Sequence, residues 1–257
     1  MRFTSYGITD VGLKRGHNED NYGFDDRIGL YLVADGMGGH AAGEVASSTA
    51  INTIFDFIRR FRGENDVTWP FDFNPSLTRS ENALLNSIQL ANESVCTLAG
   101  ENQAYSGMGT TVVALMIDGN QGYVAHMGDS RLYRLRNGVL TSLTMDHSWV
   151  NEQLRKNILT EEEARNHRWR NVITRALGNK LDIDVELNRL EIQHRDRFLL
   201  CTDGLSGMVT DEAICRILME NKDLESSCLA LIAQANANGG MDNITTVMVE
   251  AEDETQG

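Results

Sequence analysis

The sequence predicts an α+β fold, and two observations carry that prediction. Turn signals at Asp118-Gly119-Asn120 and Asn137-Gly138 each separate two apolar runs, so four segments read as two hairpins with antiparallel pairing. Helical periodicities come in adjacent pairs, not singly between strands, so the helices cover sheets as layers instead of linking parallel strands.

Along the chain, residues 4–9 and 29–34 read as strands, the second as the unbroken apolar run GLYLVA. A helix follows over 41–60, with Ala46, Ala50, Ile54, Phe57, Ile58 and Phe61 near one face. Residues 63–79 contain both prolines and several turn formers and read as an irregular surface excursion, with Trp69, Phe71 and Phe73 as a local packed cluster. Ser80 is placed to cap a second helix reaching about residue 98, with Leu84, Leu85, Ile88, Ala91 and Val95 apolar. The hairpin strands are 110–117 with 121–127, and 131–135 with 139–143. Residues 146–171, rich in Arg, Asn, Glu and His, read as a polar helical insert. A buried strand at 198–202, helices at about 210–221 and 223–236, and a last strand at 243–250 complete the order. The acidic tail, 250–257, is expected to fray.

Composition removes several function classes. Lys and Arg number 23 against 37 Asp and Glu, a net charge of −14. Non-specific nucleic-acid binding runs on neutralised phosphates, and anionic membranes attract basic segments, so neither partner suits this chain. Cys96, Cys201, Cys215 and Cys228 form no C-x-x-C pair and no Cys/His zinc spacing, and read as small buried hydrophobes in a reducing compartment. The N-terminus lacks the apolar stretch of a secretory signal, and no run approaches the roughly 18 apolar residues of a membrane span. The expectation is a soluble cytoplasmic protein.

The chemistry lies in where the acids fall. Asp35 follows GLYLVA, Asp203 follows FLLCT, Asp129 follows GYVAHMG, and Asp242 precedes the last strand. Glu19 and Asp20 read as part of a loop shortly after Arg15. Any one Asp-Gly pair is a turn signal. Four acids at the mouths of buried strands, beside an arginine suited to phosphate, ask for more. Like charges at close range raise one another's pKa unless a countercharge intervenes. Hard oxygen ligands suit Mg²⁺ or Mn²⁺, and two such ions about 3.5–4 Å apart would activate a water and clamp a phosphoryl group. A rival reading takes GMGGHA, residues 36–41, as a dinucleotide fingerprint with Asp56 as its acid. It fails on context, because the helix that follows leads to an irregular excursion and another helix, not to a second parallel strand. Asp56 also lies within a helix, not at a strand end.

Eight segments, in order, resemble the metal-dependent protein serine/threonine phosphatases of type 2C in their short bacterial form. They are RGHNEDN (15–21), VADGMGGHAAGEVAS (33–47), GTT (109–111), HMGDSRLYR (126–134), LTMDHS (143–148), VITRALG (172–178), LLCTDGL (199–205) and DNIT (242–245). The resemblance implies a four-layer α/β/β/α sandwich of two central antiparallel sheets flanked by helices, as one catalytic domain over residues 1–257. It implies hydrolysis of phosphoserine and phosphothreonine by a hydroxide bridging two Mn²⁺ or Mg²⁺ ions, with a third, weaker ion. The implied partners are phosphorylated proteins, served by a bacterial Ser/Thr kinase that the enzyme opposes.

By the same resemblance, Asp35 bridges two ions, Gly36 offers its carbonyl, and Glu19 holds a bound water. Asp203 and Asp242 complete the other shell, Asp129 with Asp203 forms the third site, and Arg15 grips the substrate phosphate. Asn243 orients the adjoining loop, and residues 146–171 form a flap. His126 is implied to be structural or to support the site from behind. Met37 stands where many eukaryotic members carry His, and Arg168 where a flap proline is expected. His40 follows the glycines and is either a solvated helix cap or the general acid. Two other function classes remain open: a catalytically silent scaffold, which would be expected to lose a ligand, and a two-metal phosphodiesterase or nuclease, which the acidic balance disfavours.

Overall fold

The computed structural model describes residues 1–39, 42–64, 67–165, 167–169 and 172–253. Its first half runs β1 (Arg2–Asp10), β2 (Asp20–Asp25), β3 (Leu30–Met37), α1 (Ala42–Gly63), α2 (Arg79–Glu101), β4 (Gly109–Thr110), β5 (Val112–Asp118) and β6 (Gln121–Met127). The second half runs β7 (Arg131–Arg136), β8 (Val139–Ser142), α3 (Trp149–Arg155), α4 (Glu161–Arg165), β9 (Glu186–Glu191), β10 (Arg197–Cys201), α5 (Asp203–Ser206), α6 (Asp211–Glu220), α7 (Leu224–Ala237) and β11 (Ile244–Glu252). One sheet has the order β1-β11-β10-β7-β8, the other β2-β3-β5-β6-β9 with β4 pairing on β3, and every pairing is antiparallel.

Alternation along the strands explains the four layers. In β3, Leu30, Leu32 and Ala34 pack against α1 and α2, while Tyr31 and Val33 face the other sheet. Both faces are buried, which is why the segment reads as a continuous apolar run. Between the sheets, Val113, Leu115 and Val124 meet Leu132, Phe198, Leu200, Val247 and Val249. On the far side, Leu199, Cys201 and Met248 pack against Ile214 of α6 and Leu231 of α7. The resulting order is helices, sheet, sheet, helices.

Several boundaries differ from the sequence reading. Asp20 does not lie in a loop: it opens β2 and pairs with Asp35. The 110–117 strand is divided, because Thr110 pairs with Gly36 on β3 while Val112 onward pairs with β6. β9 was not read as a strand, since its exposed, charged outer positions hide the alternation. The 146–171 insert is not continuously helical: α3 and α4 are short, and the isolated bridge Ser148–Ile173 ties its two ends. Residues 250–252 do not fray but complete β11, where Ala251 is buried. Cys201 and Cys228 are buried as expected, whereas Cys96 and Cys215 are half-buried, and all four are free thiols.

The cap of α2 is Thr78, not Ser80. Thr78 Oγ1 accepts from the Glu81 backbone N–H at 3.1 Å, and Glu81 Oε2 accepts from the Thr78 N–H at 2.7 Å. This reciprocal box satisfies two orphan donors at the helix start. Asn82 and Asn86, both buried, pin the preceding excursion by accepting from the backbone N–H of Asn74 and Phe71. Trp69 packs against Phe57 and Phe61 of α1 and against the exposed Phe73, so Trp69 anchors the excursion, while among the described ring contacts none includes Phe71. Thr78→Ala is expected to cost about 1 kcal/mol of stability. An unchanged urea midpoint would refute that role for the cap.

Candidate metal centre

The predicted acids meet at one end of the sandwich. Asp35 lies near the end of β3 and Asp20 at the start of β2 beside it. Asp129 sits where the chain crosses from β6 to β7, Asp203 directly follows Thr202 beyond β10, and Asp242 precedes β11. Asp35, Asp129, Asp203 and Asp242 therefore sit at the ends of buried strands, and the buried Asp20 opens the half-buried β2.

The Gly-Thr-Thr segment fixes Asp35. Its backbone carbonyl accepts from the Thr111 N–H and the Thr110 hydroxyl, both at 2.9 Å, and its N–H donates to Thr111 Oγ1 at 2.9 Å. Thr111 in turn shares a 2.7 Å hydrogen bond with Ser130, next to Asp129. Gly36 has no room for a side chain: an added Cβ would collide with the Gly43 carbonyl. That close approach lets the Gly36 N–H reach the Glu19 carbonyl at 3.1 Å. The same carbonyl accepts from Ser47 Oγ at 2.7 Å, and Glu19 Oε1 accepts from the Gly43 N–H at 3.2 Å. Asn243 ties the Arg15 loop to the centre, accepting from the Glu19 N–H at 2.9 Å and donating to the carbonyls of Val11 and His17.

The cluster is short of positive charge. Burial first, then Asp20, Asp203, Asp129 and Asp242, push the Asp35 carboxyl well above the ordinary carboxylate range. Asp129 is pushed up to about 7 by burial and by Asp203 and Asp146. Asp203 is raised by burial and by Asp242, against a hydrogen bond with Asp35 that lowers it. Asp20 also rises to about 7, chiefly by burial, although Oδ2 accepts from Thr245 at 2.6 Å and Thr202 at 2.8 Å. One Oδ1 on each of Asp20, Asp129 and Asp203 is buried without a hydrogen-bond partner. Unpartnered hard oxygens in a field of like charge fit divalent cations with oxygen preference. Arg15 meets this negative field from the mouth, donating to Asp242 Oδ2 at 2.6 Å from a half-exposed position.

Asp20 was not assigned to the site from sequence, yet after burial it is the acid that raises the Asp35 carboxyl most. The period-2 pattern Asp20, Tyr22, Phe24 carried the signal for a strand opposite Asp35. His40 lies outside the described residues.

A second titratable group sits behind Asp129. His126 Nε2 faces the Met145 carbonyl at 3.0 Å, and the rings of His126 and His147 stack at 4.5 Å. With Glu186 these side chains bring ligand atoms within 4.8 Å of one another. The hydrogen bonds argue against a chelate. The Gly128 N–H donates to His147 Nδ1 at 3.2 Å, so the His147 proton is assigned to Nε2, where it faces Glu186 Oε2 at 3.3 Å. Rings stacked in parallel also aim their lone pairs in parallel planes, not at one point. Burial lowers the pKa of both histidines, which keeps them neutral supports of the Gly128–Asp129 turn. His126 is only half satisfied, since its Nδ1 is buried without a partner.

An antiparallel double-sheet sandwich with a carboxylate centre at one end defines a class of metal-dependent hydrolases, and the comparisons narrow it. The family model described as protein phosphatase 2C matches residues 14–246. The serine/threonine phosphatase stp of Listeria monocytogenes is 38% identical over 251 residues, covering 95% of this chain and 94% of its own length. The crystal structure of the Mycobacterium tuberculosis serine/threonine phosphatase PstP/Ppp superposes with a TM-score of 0.86 at 33% identity, covering 98% of this chain and 100% of that one. The catalytic domain of serine threonine protein phosphatase PstP in complex with two manganese ions superposes at 0.83, with 32% identity, 98% of this chain and 99% of that one. The chain belongs to the protein phosphatase 2C family and is a protein serine/threonine phosphatase. No helix among the described residues is long and apolar enough to cross a membrane.

Proposed function

We propose that residues 1–257 form one catalytic domain that hydrolyses phosphoserine and phosphothreonine in proteins with Mn²⁺ or Mg²⁺, opposing a bacterial Ser/Thr kinase in the cytoplasm. The observation that carries this reading is the convergence of Asp20, Asp35, Asp129, Asp203 and Asp242 with buried oxygens left unpartnered. Asp35 and the Gly36 carbonyl would hold a pair of ions, with Glu19 acting through a water and Asp203 and Asp242 completing the shell. Asp129 with Asp203 would hold a third ion on fewer protein ligands and hence more weakly. Bound there, the ions would supply an activated water and neutralise the phosphoryl oxygens.

The chain's own residues then position the reaction. Thr110 and Thr111 hold the Asp35 backbone, so the carboxylate needs little rearrangement as charge develops. Arg15 lies at the mouth, where its fork suits a phosphate monoester. His40 is the residue we assign to protonate the leaving oxygen. None of these groups forms a covalent phosphoenzyme, so no nucleophilic thiol is required. The nearby Cys201 suits that account, because burial pushes its thiol up to about 12.

The deciding assay uses p-nitrophenyl phosphate, its bis ester and a phosphothreonine peptide, each with Mn²⁺ and with EDTA. The expected result is metal-dependent hydrolysis of the monoesters and peptide. Preference for the bis ester would point instead to a phosphodiesterase, and inactivity on all three to a silent scaffold. Arg15→Ala is expected to raise KM for the peptide about tenfold or more, through lost charged hydrogen bonds. Unchanged kinetics on peptide and small substrate would remove Arg15 from the site.

A further inference from the structure

We propose that the cleft running from the acids to the flap is a subsite for a large apolar side chain, such as Leu, Ile, Met or Phe, close to the phosphorylated residue of the substrate. This inference rests on the phosphatase reading above. The cleft holds about 600 Å³ and is lined at one end by Asp129, Asp203 and Asp242. A pocket of that size admits a phosphorylated side chain together with one large neighbour. Continuity with the acids identifies the occupant as the substrate's own chain.

Part of the flap wall is apolar. Val150 and Leu154, four residues apart on α3, share one side of the helix, and Ala164 of α4 joins them. Val150 is 7% exposed and Ala164 5%, yet neither belongs to any of the three apolar clusters that make the core. Both are covered by protein, so the apolar surface that the flap opens to the cleft is mainly that of half-buried Leu154. Met208 and Met241 also line the cleft, Met208 partly packed against the core and Met241 54% exposed. Thioether side chains adapt to varied apolar shapes, which suits a site that accepts several substrates.

The charged groups along the same cleft are already engaged. Arg131 makes a two-pronged bond to Asp146, at 2.8 and 2.7 Å, and a third bond to the Tyr133 hydroxyl at 2.9 Å. The Ser148 hydroxyl accepts from the Asn151 N–H at 3.4 Å, and the Asn151 amide donates to the Asp146 carbonyl at 3.2 Å. With Arg131 and Asp146 neutralising each other, the aliphatic part of the lining is left to favour an apolar neighbour over a charged one. Among the described residues that line the cleft, the carboxylates are Asp146, bound to Arg131, and the acids proposed to hold metal.

The test is a panel of phosphothreonine peptides carrying Leu, Gly, Lys or Glu at each of the two positions before and after the phosphothreonine, assayed with Mn²⁺. Each enzyme's peptide kcat/KM is divided by its own value for p-nitrophenyl phosphate. Leu at one position is expected to exceed Gly roughly tenfold, the scale of burying one aliphatic side chain, and to exceed Lys and Glu. In Leu154→Asn, at a half-buried position and with circular dichroism to check the fold, the Leu/Gly ratio is expected to fall to about one. No Leu preference at any position, a preference for Lys, or a Leu preference undiminished in Leu154→Asn would each overturn the subsite. Wild-type protein that fails on p-nitrophenyl phosphate would remove the phosphatase reading and the subsite with it.

Discussion

Asp35→Asn and Asp203→Asn are each expected to cut phosphopeptide turnover by at least about 10³-fold, roughly 4 kcal/mol of barrier, while the fold stays intact. Both carboxyls sit at the centre of the cluster, and each feels the other directly. On the proposed assignment, removing one deletes a ligand, and Asp20, whose Oδ2 is tied to Thr202 and Thr245, is held in place on β2 and not free to move into the gap. The same substitutions are expected to stabilise the metal-free protein, since a buried like charge is withdrawn from an unneutralised group. A rise of roughly 4 °C in the metal-free melting temperature corresponds to about 1–2 kcal/mol for a chain of this size. Circular dichroism confirms the fold, and phosphopeptide kinetics at saturating Mn²⁺ give the loss. Activity within tenfold of wild type in either variant would sink the two-ion assignment.

Much of this site was legible because strand ends are easy to see in sequence. GLYLVA-Asp35 and FLLCT-Asp203 pair a buried run with an acid, and burial on both faces of β3 and β10 makes those runs unbroken. The hairpin turns were equally plain, since Gly119 and Gly138 carry positive φ angles of 63° and 77° that favour glycine. What stayed hidden depends on tertiary pairing. Asp20 looks like a loop residue until β2 aligns with β3 and brings it beside Asp35. β9 is an edge strand whose exposed, charged outer positions mask its alternation. The cap at Thr78 was missed in favour of Ser80 because the excursion's turn chemistry runs right up to the helix, so that several residues offer a plausible hydroxyl. The His126–His147–Glu186 group joins segments far apart in the chain, and only its hydrogen bonds decide between a chelate and a support.

The acids proposed to hold metal should also make the metal-free protein sensitive to pH. Asp20 and Asp129 are held up to about 7 in the folded state, and Asp35 is raised in the same direction. In the unfolded chain an aspartate titrates near about 3.9. Between those values the folded protein binds more protons than the unfolded one, so stability falls as pH rises. The decline is expected to begin near pH 4 and level off somewhat above pH 7, with a total of about 2 kcal/mol or more, read by urea unfolding of the metal-free protein. Metal reverses the sense, because the ions bind the deprotonated carboxylates and their contribution grows with pH. The gap between the Mn²⁺-loaded and metal-free unfolding midpoints should therefore be small near pH 4.5 and full above pH 7. Asp20→Asn should flatten the metal-free curve, since it removes one of the raised groups and eases the others. A metal-free stability that rises from pH 5 to pH 8, or a gap of constant size across that range, would show that these carboxyls are not the strained cluster described here.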